Sequence, residues 1–488
     1  MVLSAFRSAR QAGLFAATLA ASVGVQQVVD ATAQAQLAAC PEFTPPRDTA
    51  GNLTKAYTWQ AYEAPRPGEI GTKAHGTLTG CYHIAQASVR EATGMANAAD
   101  AIMTRHVTQD TSGQKLLASS VLFLSTVNAG RDLPVVVLNT ATIGIDSHCG
   151  ATVQALSKES TLLVRDKVDR FLRDGYNVLV PDYVGHSIRG QDPHPYVEGR
   201  SEGYAVLDAI TAARALPSAY ARMYKTGGAA ARLALQGYSQ GAHVTAFTTQ
   251  LAPSYAPSVS FSAIRAGGVP VNLDVSLGNA IEAFEAGGSD SGFTALAIVA
   301  MLYSHDPEVR MTWSELAPYI TDSADVSYWA NYARNECRGQ QQIADFFSGL
   351  KRDSFDGLGF LEHPKVKRFL VRNSLTGKLA GTLFSGSQVA IEAAKELTLA
   401  RPSAPFMLYG SPGDTVAPAA EVRTVMASWG GPVIPESGRL WGYMDLPNAS
   451  QVWGNTTGAH GLDESDLYWT TFAASRYTPD EWLATYMK

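Results

Sequence analysis

Charge, cysteine and long apolar runs are all scarce in this chain of 488 residues. Only 17% of residues are charged, 38 basic against 44 acidic, and the formal net charge is −6. No basic stretch tracks a phosphate backbone, which argues against a nucleic-acid partner. The four cysteines, Cys40, Cys81, Cys149 and Cys337, have spacings unlike any zinc site, so no metal is expected. Beyond the first residues, no apolar stretch is long and charge-free enough to cross a bilayer. Internal repeats, coiled-coil heptads and low-complexity tracts are also missing. What remains, with 46% hydrophobic residues, is a folded globular chain. At this length it can bury a full core without a metal or disulfide to hold it.

The first residues read as export machinery. Arg7 and Arg10 precede the apolar run Ala12–Val25, which is too short to span a membrane. The small residues Ala31-Thr32-Ala33-Gln34-Ala35 then offer a cleavage site. A signal peptide over residues 1–35 and a secreted protein are the expectation, with a retained membrane anchor as the alternative. Leu37-Ala38-Ala39-Cys40 has the look of a lipoprotein acylation site, but the polar stretch Gln26–Gln36 separates it from the apolar run. An even cysteine count in an exported chain favours two disulfides, with three pairings open.

Short β-branched runs alternate with amphipathic helical stretches, the pattern of an α/β fold around a mostly parallel sheet. Strands are expected at Val121–Thr126, Pro134–Asn139, Asn177–Pro181, Leu233–Tyr238, Ile264–Val269 and Pro405–Gly410. Helices are expected where Leu162, Leu163, Val168, Phe171 and Leu172 make an apolar face, ending near Gly175, from about Glu202 to Leu216, and over Gly241–Leu251. From about Gly278 to Ala400 the rhythm breaks into mostly helical pattern, which reads as a cap inserted between strands. The expected organisation is a leader (1–35), a first part of the core (36–277), a helical cap (278–400) and a second part of the core (401–488). The apolar run Phe293–Tyr303 fits either an acyl tunnel or a helix packing cap against core.

Gly237-Tyr238-Ser239-Gln240-Gly241 matches G-x-S-x-G between an apolar strand and a helix. A turn that tight needs small residues around the serine, and it lifts Oγ above the sheet edge. The pattern alone is weak, because Gly199-Arg200-Ser201-Glu202-Gly203 matches it too, after residues that cannot be a buried strand. Ser201 reads there as a helix N-cap. Ser239 is therefore the candidate nucleophile.

A serine needs a base, and the base an orienting acid, in the chain order Ser, Asp/Glu, His. His243, His305, His363 and His460 follow Ser239. His243 falls one helical turn from the serine, and His305 and His363 fall in the cap. His460 stands in a loop of small residues after the last strands and is the candidate base. Asp414, just after the strand ending at Gly410, is the candidate acid, at the edge where ligands of parallel sheets meet. Asp306 and Asp445 lack that placement. The oxyanion donors are expected to be the Gln240 N–H and the Ala141 or Thr142 amide, in the loop after Pro134–Asn139.

These residues resemble the secretory lipases, the α/β-hydrolase group typified by Candida antarctica lipase A. The resemblance runs from about residue 130 to 465. It rests on Thr140–Cys149, on Val180–Asp208, on Gly237–Gly241, on Gly267–Pro270, and on Asp414–Pro418. It implies Ser239, Asp414 and His460 as the triad, and a bridge from Cys149 to a cap cysteine, for which Cys337 is the candidate; Cys40–Cys81 is then left as the second. The chain departs from the family's pattern at Thr140-Ala141 and at Cys149-Gly150-Ala151-Thr152.

The function expected is acyl transfer to water without a cofactor. The enzyme would be a secreted serine hydrolase acting on carboxylic esters, with triacylglycerols implied by the resemblance. It is expected to be a monomer meeting its lipid at a lipid–water interface. A carboxylesterase for short or bulky esters is the nearest alternative, then an exported serine peptidase of the same fold. An inactive hydrolase fold serving as a binding protein is a third. Asp182 and His186 read as structural hydrogen-bonding residues at a strand end.

Overall fold

The computed structural model describes residues 39–54, 70–127, 133–157, 164–217, 231–285, 298, 300–320, 337, 356–376, 402–410, 414, 416–429, 442–445, 483 and 487. The strands are β1 (Leu78–Ile84), β2 (Ala98–Gln109), β3 (Lys115–Ser125), β4 (Val135–Asn139), β5 (Asn177–Pro181), β6 (Leu233–Tyr238), β7 (Ala263–Gly267), β8 (Phe406–Gly410) and β9 (Gly442–Asp445). Among the described residues they form one sheet in the order β1-β2-β3-β5-β4-β6-β7-β8-β9. Pairing is antiparallel from β1 through β3 to β5 and parallel from β5 to β9. The mostly parallel sheet expected from the strand–helix alternation is present.

The helices named here are α1 (Gln86–Thr93), α2 (Ala151–Ala155), α3 (Val164–Arg173), α4 (Gly199–Arg214), α5 (Gln240–Tyr255), α6 (Leu273–Glu285), α7 (Trp313–Leu316), α8 (Gly357–Glu362), α9 (Pro364–Asn373) and α10 (Ala419–Ser428). β4, β5 and β6 are buried along their whole length. Such strands read as continuous apolar runs because both faces are covered. Their side chains sort by parity. Val135, Val137, Leu179 and Leu235 join one core with Val206 and Ile210 of α4, Phe247 of α5 and Val422 of α10. Val136, Leu138, Val178 and Val180 join the opposite core with Val168, Phe171 and Leu172 of α3. The helix α3 is cut off at Gly175, where Gly175 N–H donates to Leu172 O and Tyr176 N–H to Phe171 O.

Several expected boundaries move. β3 starts at Lys115, and β1 and β2 were not expected as strands at all. In β2 the polar Thr104, His106 and Thr108 are buried, so the alternation that marks a half-exposed strand is lost. α4 starts at Gly199 with Glu198 as its N-cap residue, three residues before the expected start. Ser201 is accordingly not the N-cap. It lies in the first turn, donates to Glu198 Oε2 at 2.5 Å and accepts from Thr111 N–H at 2.9 Å. Leu162 and Leu163 lie outside the described residues.

Between β7 and β8 the described chain is helical: α6, residues 300–303, α7, α8 and α9. A third apolar cluster holds it together, with Leu273, Leu277 and Ile281 of α6 against Phe360 of α8 and Val366, Phe369 and Leu370 of α9. Ile298, Ala300, Met301 and Leu302 are buried in that cluster. Residue 278, expected as the start of the insertion, falls within α6. The two ends of this stretch are clipped together at its root. Leu375 N–H donates to Val271 O at 2.8 Å, Leu273 N–H to Ser374 Oγ at 2.9 Å, and Thr376 bonds Asn272.

Candidate active site

Ser239 stands alone between the end of β6 and the start of α5, with φ 54° and ψ −121°. A non-glycine residue there costs on the order of 1–3 kcal/mol and persists only where the surroundings over-determine it. The surroundings do so through backbone contacts. A Cβ at Gly237 would lie 2.1 Å from Gly241 O, and one at Gly241 would lie 2.2 Å from Asn139 O. Neither position admits any other residue without moving the turn. Ser239 N–H donates to Gly267 O at the end of β7 at 2.9 Å, while Ser239 O accepts from Ala242 and His243 N–H. The serine is 7% exposed.

The loop expected to supply an oxyanion donor leaves β4, the neighbour of β6, with Asn139 paired to Gly237. It is held at four points. Tyr183 O–H donates to Thr140 O at 2.8 Å, Thr142 Oγ1 meets Tyr196 Oη at 2.8 Å, His186 Nε2–H donates to Gly144 O at 3.0 Å, and His194 N–H donates to Ile145 O at 2.7 Å. Ala141 and Thr142 are half-buried beside this loop's start. Burial pushes the Tyr183 and Tyr196 phenols upward, so both stay protonated.

Asp414 follows β8 at the same sheet edge and is buried. Its Oδ1 accepts from Val416 N–H at 3.0 Å and Ala417 N–H at 2.7 Å, the local turn bonding open to an aspartate. Val416 lines the same pocket as Ser239. His460 lies outside the described residues. Of its rivals, His243 donates through Nε2 to Asn373 O at 2.7 Å, and His363 caps α9. Asp306 is paired with Arg372, and Asp445 ends β9.

Ser239 opens on a pocket of about 470 Å³, part of it open to solvent. Its walls are apolar: Tyr196 and Val197, Leu273, Leu277 and Ala280 of α6, Phe369 and Leu370 of α9, and Val416. Of the run Phe293–Tyr303, the residues whose side chains are described pack into the third cluster, and none of them lines the pocket. Val197 is a surprise, since a β-branched residue sits there at φ 56°. Nothing in the residue type signals it. The loop around it, His194-Pro195-Tyr196, reads from sequence only as a shaped segment.

Beneath the turn lies a buried charged layer that sequence reasoning missed. Glu202, on α4, accepts from Gln240 Nε2–H at 2.6 Å and stands 3.2 Å from His194 Nε2. Its source, Gly199-Arg200-Ser201-Glu202-Gly203, reads from sequence merely as a decoy of the nucleophile pattern.

Asp182 accepts from Ser119 Oγ and Thr152 Oγ1, each at 2.5 Å, a wholly structural set of partners. Cys40 is bonded to Cys81, and Cys149 to Cys337, tying the segment after β4 to the insertion. Among the described residues the cluster with metal-type donors is His148, Cys149 and Cys337. Both sulfurs are committed to the disulfide, and His148 Nδ1 stands 2.6 Å from Asp146 Oδ1.

The model of the secretory lipase family matches residues 153–436. A secreted triacylglycerol lipase of Malassezia restricta is 25% identical over 285 residues, 57% of this chain and 50% of its own. The chain spans about half or less of the length of the curated relatives it matches. In three dimensions it is similar to Candida antarctica lipase A in its closed state (TM-score 0.58, 19% identity, 81% of each chain). It is also similar to a rice cell wall degrading esterase from Xanthomonas oryzae (TM-score 0.54, 20% identity, 81% of this chain and 97% of the other). At such identities the likeness speaks for the fold, which is that of the α/β-hydrolases.

Proposed function

Because the chain belongs to the secretory lipase family, and so is a secreted protein, we propose that it cleaves the carboxylic esters of lipids, triacylglycerols foremost, through an acyl-enzyme on Ser239. The observation that carries the reading is the strained Ser239, held at φ 54° at the mouth of an apolar pocket. In the proposed cycle His460 takes the Ser239 proton as Oγ attacks the ester carbonyl. The N–H of Gln240 and that of Ala141 or Thr142 hold the oxyanion. His460 then gives its proton to the departing alcohol, and a water repeats the sequence in reverse to free the acid. Asp414 holds the imidazole in the required tautomer and stabilises its charged form. The reaction needs no cofactor. Residues 278–400 act as the cap, and the monomer works at a lipid–water interface.

The pocket at Ser239 is partly open to solvent, and an esterase, the rice cell wall degrading esterase from Xanthomonas oryzae, shares the fold. That favours a second reading, a carboxylesterase for short or bulky esters. A graded ester series from acetate to oleate, ending with emulsified triolein, separates the two, with Ser239→Ala as the blank. Turnover of long chains and of the emulsion supports the lipase, and turnover confined to short soluble esters the esterase. Activity that survives in Ser239→Ala removes the nucleophile assignment.

A further inference from the structure

The cycle above makes no use of the charge buried directly beneath its nucleophile. Glu202 has no exposed surface, yet burial is opposed there by its partners. Desolvation drives its carboxyl upward, and the neighbouring imidazoles of His194 and His243 outweigh that and lower it to about 2. The ionised carboxylate is thus the form its partners favour.

Its contacts are directed toward the reacting turn. Oε1 accepts from Gln240 Nε2–H at 2.6 Å and from Val197 N–H at 3.2 Å. Gln240 immediately follows the nucleophile, and Val197 is the pocket wall held at positive φ. Gln240 Nε2 also meets His194 Nε2 at 2.7 Å, and Oε2 stands 3.6 Å from His243 Nδ1. The two imidazoles extend the reach. His194 Nδ1–H donates to Val184 O at 2.9 Å, and its backbone N–H holds Ile145, at the far end of the loop that begins with Thr140. His243 Nε2–H donates to Asn373 O at 2.7 Å, at the end of the helix that brings Phe369 and Leu370 to the pocket.

A side chain at the first position of a helix normally turns to solvent, but Gln240 is 1% exposed and donates to a charge. Hydrogen bonds to an ionised partner away from water are the strong, geometrically demanding ones. A buried carboxylate is also costly to keep. Its placement against the residue after the nucleophile ties that cost to the geometry of the turn.

We propose that Glu202 is a positioning residue for ester cleavage: its carboxylate fixes the Gln240 side chain and the Val197 amide, and through them the aim of the Gln240 N–H at the oxyanion formed on Ser239. This rests on the reading of Ser239 as nucleophile and of the Gln240 N–H as oxyanion donor. Loss of the carboxylate lets the donor drift and frees one wall residue, Val197, while the walls from α6 and α9 stay in place, so turnover suffers more than substrate binding does.

The test uses the full secreted protein and p-nitrophenyl butyrate, with kcat counted per serine titrated to completion by a fluorophosphonate. Wild type, Glu202→Gln, Gln240→Met, the double variant and Ser239→Ala are compared. Removing an oxyanion donor outright costs about 10²–10³ in turnover, so a misaimed donor is expected to lower kcat roughly 10- to 100-fold. KM should change far less than kcat, by about twofold or less, since of the pocket walls only Val197 touches Glu202. Gln240→Met should show a similar loss, and the double variant should lose far less than the product of the singles. Normal kcat per titrated serine in Glu202→Gln, with Ser239→Ala inactive, overturns the proposal alone. If Glu202→Gln does not fold, Gln240→Met decides it, and normal kcat there overturns the proposal equally. Full multiplication of the two losses assigns Glu202 a role elsewhere and overturns it too. Turnover that persists in Ser239→Ala overturns the ester-cleavage reading first, and the role of Glu202 with it.

Discussion

Replacing Gly241 with alanine tests how the reacting turn is built. The added methyl carbon would meet Asn139 O at 2.2 Å, Asn139 C at 2.8 Å and Thr140 O at 2.8 Å. All three are backbone atoms, so no rotamer change relieves the clash. Asn139 is locked in β4 by its pairing with Gly237, and its side chain donates to Thr245 Oγ1 at 2.9 Å. The start of α5 must therefore retreat, by about 1 Å to regain ordinary contact, and a displacement of that size at a reacting centre costs on the order of 10²-fold in rate. Overpacking should also lower stability by about 1–3 kcal/mol. The assay is kcat/KM on p-nitrophenyl butyrate beside thermal unfolding. Gly278→Ala serves as the contrast, because a Cβ there meets nothing within 4 Å. That variant should keep full activity and gain up to about 1 kcal/mol from helix propensity. A Gly241→Ala enzyme with wild-type kcat/KM and an unchanged melting temperature would refute the steric account of the turn.

Two other substitutions probe the surroundings. Glu198 is held in a buried site where desolvation raises its pKa to about 7, against the hydrogen bonds of Ser201 and Ser304 and with the charges of Asp110 and Asp306 adding to the rise. The folded state thus holds this proton more tightly than the unfolded chain does. The associated stability is complete below the ordinary value of 4.5 and is lost as pH climbs through about 7. Glu198→Gln should melt like wild type near pH 5 and above it at pH 8, by on the order of 3 kcal/mol; a difference independent of pH, measured by thermal scans, would contradict this. Tyr183→Phe removes the hydrogen bond to Thr140 O. It should cost about 1 kcal/mol in chemical denaturation and lower kcat several-fold by loosening the loop, and an unchanged kcat would show that the loop is held without it.

How much of this could be read in the sequence depended on whether the physics was local. β4, β5, β6 and β8 were legible because strands buried on both faces write themselves as apolar runs. The pattern around Ser239 was legible because sterics dictate its glycines. β1 and β2 were not, since burying Thr104, His106 and Thr108 erases alternation. Glu202 was invisible for a different reason. Its partners Gln240 and His243 reach it through the packing of α4 on α5 and His194 from the loop before α4, and no spacing along the chain records that. Val197 at positive φ was invisible because residue type argues against it. The placement of Asp414 at the sheet edge was legible from the strand before it, whereas the fixing of the Thr140–Ile145 loop by Tyr183, Tyr196, His186 and His194 emerges only from the folded chain.

The clip at the root of the insertion has an evolutionary consequence. β7 and β8 pair in parallel, so the chain leaves the sheet at one edge and must cross back to enter β8 at the other. Leu273 and Ser374, and Val271 and Leu375, close that excursion before it rejoins the sheet. The sheet is thus indifferent to what lies beyond the clip, and doubling the length of a flexible loop there would cost only about 0.6 kcal/mol in closure entropy. Descendants of such a scaffold can lengthen, trim or rewrite the roof over Ser239 while the sheet beneath is inherited intact.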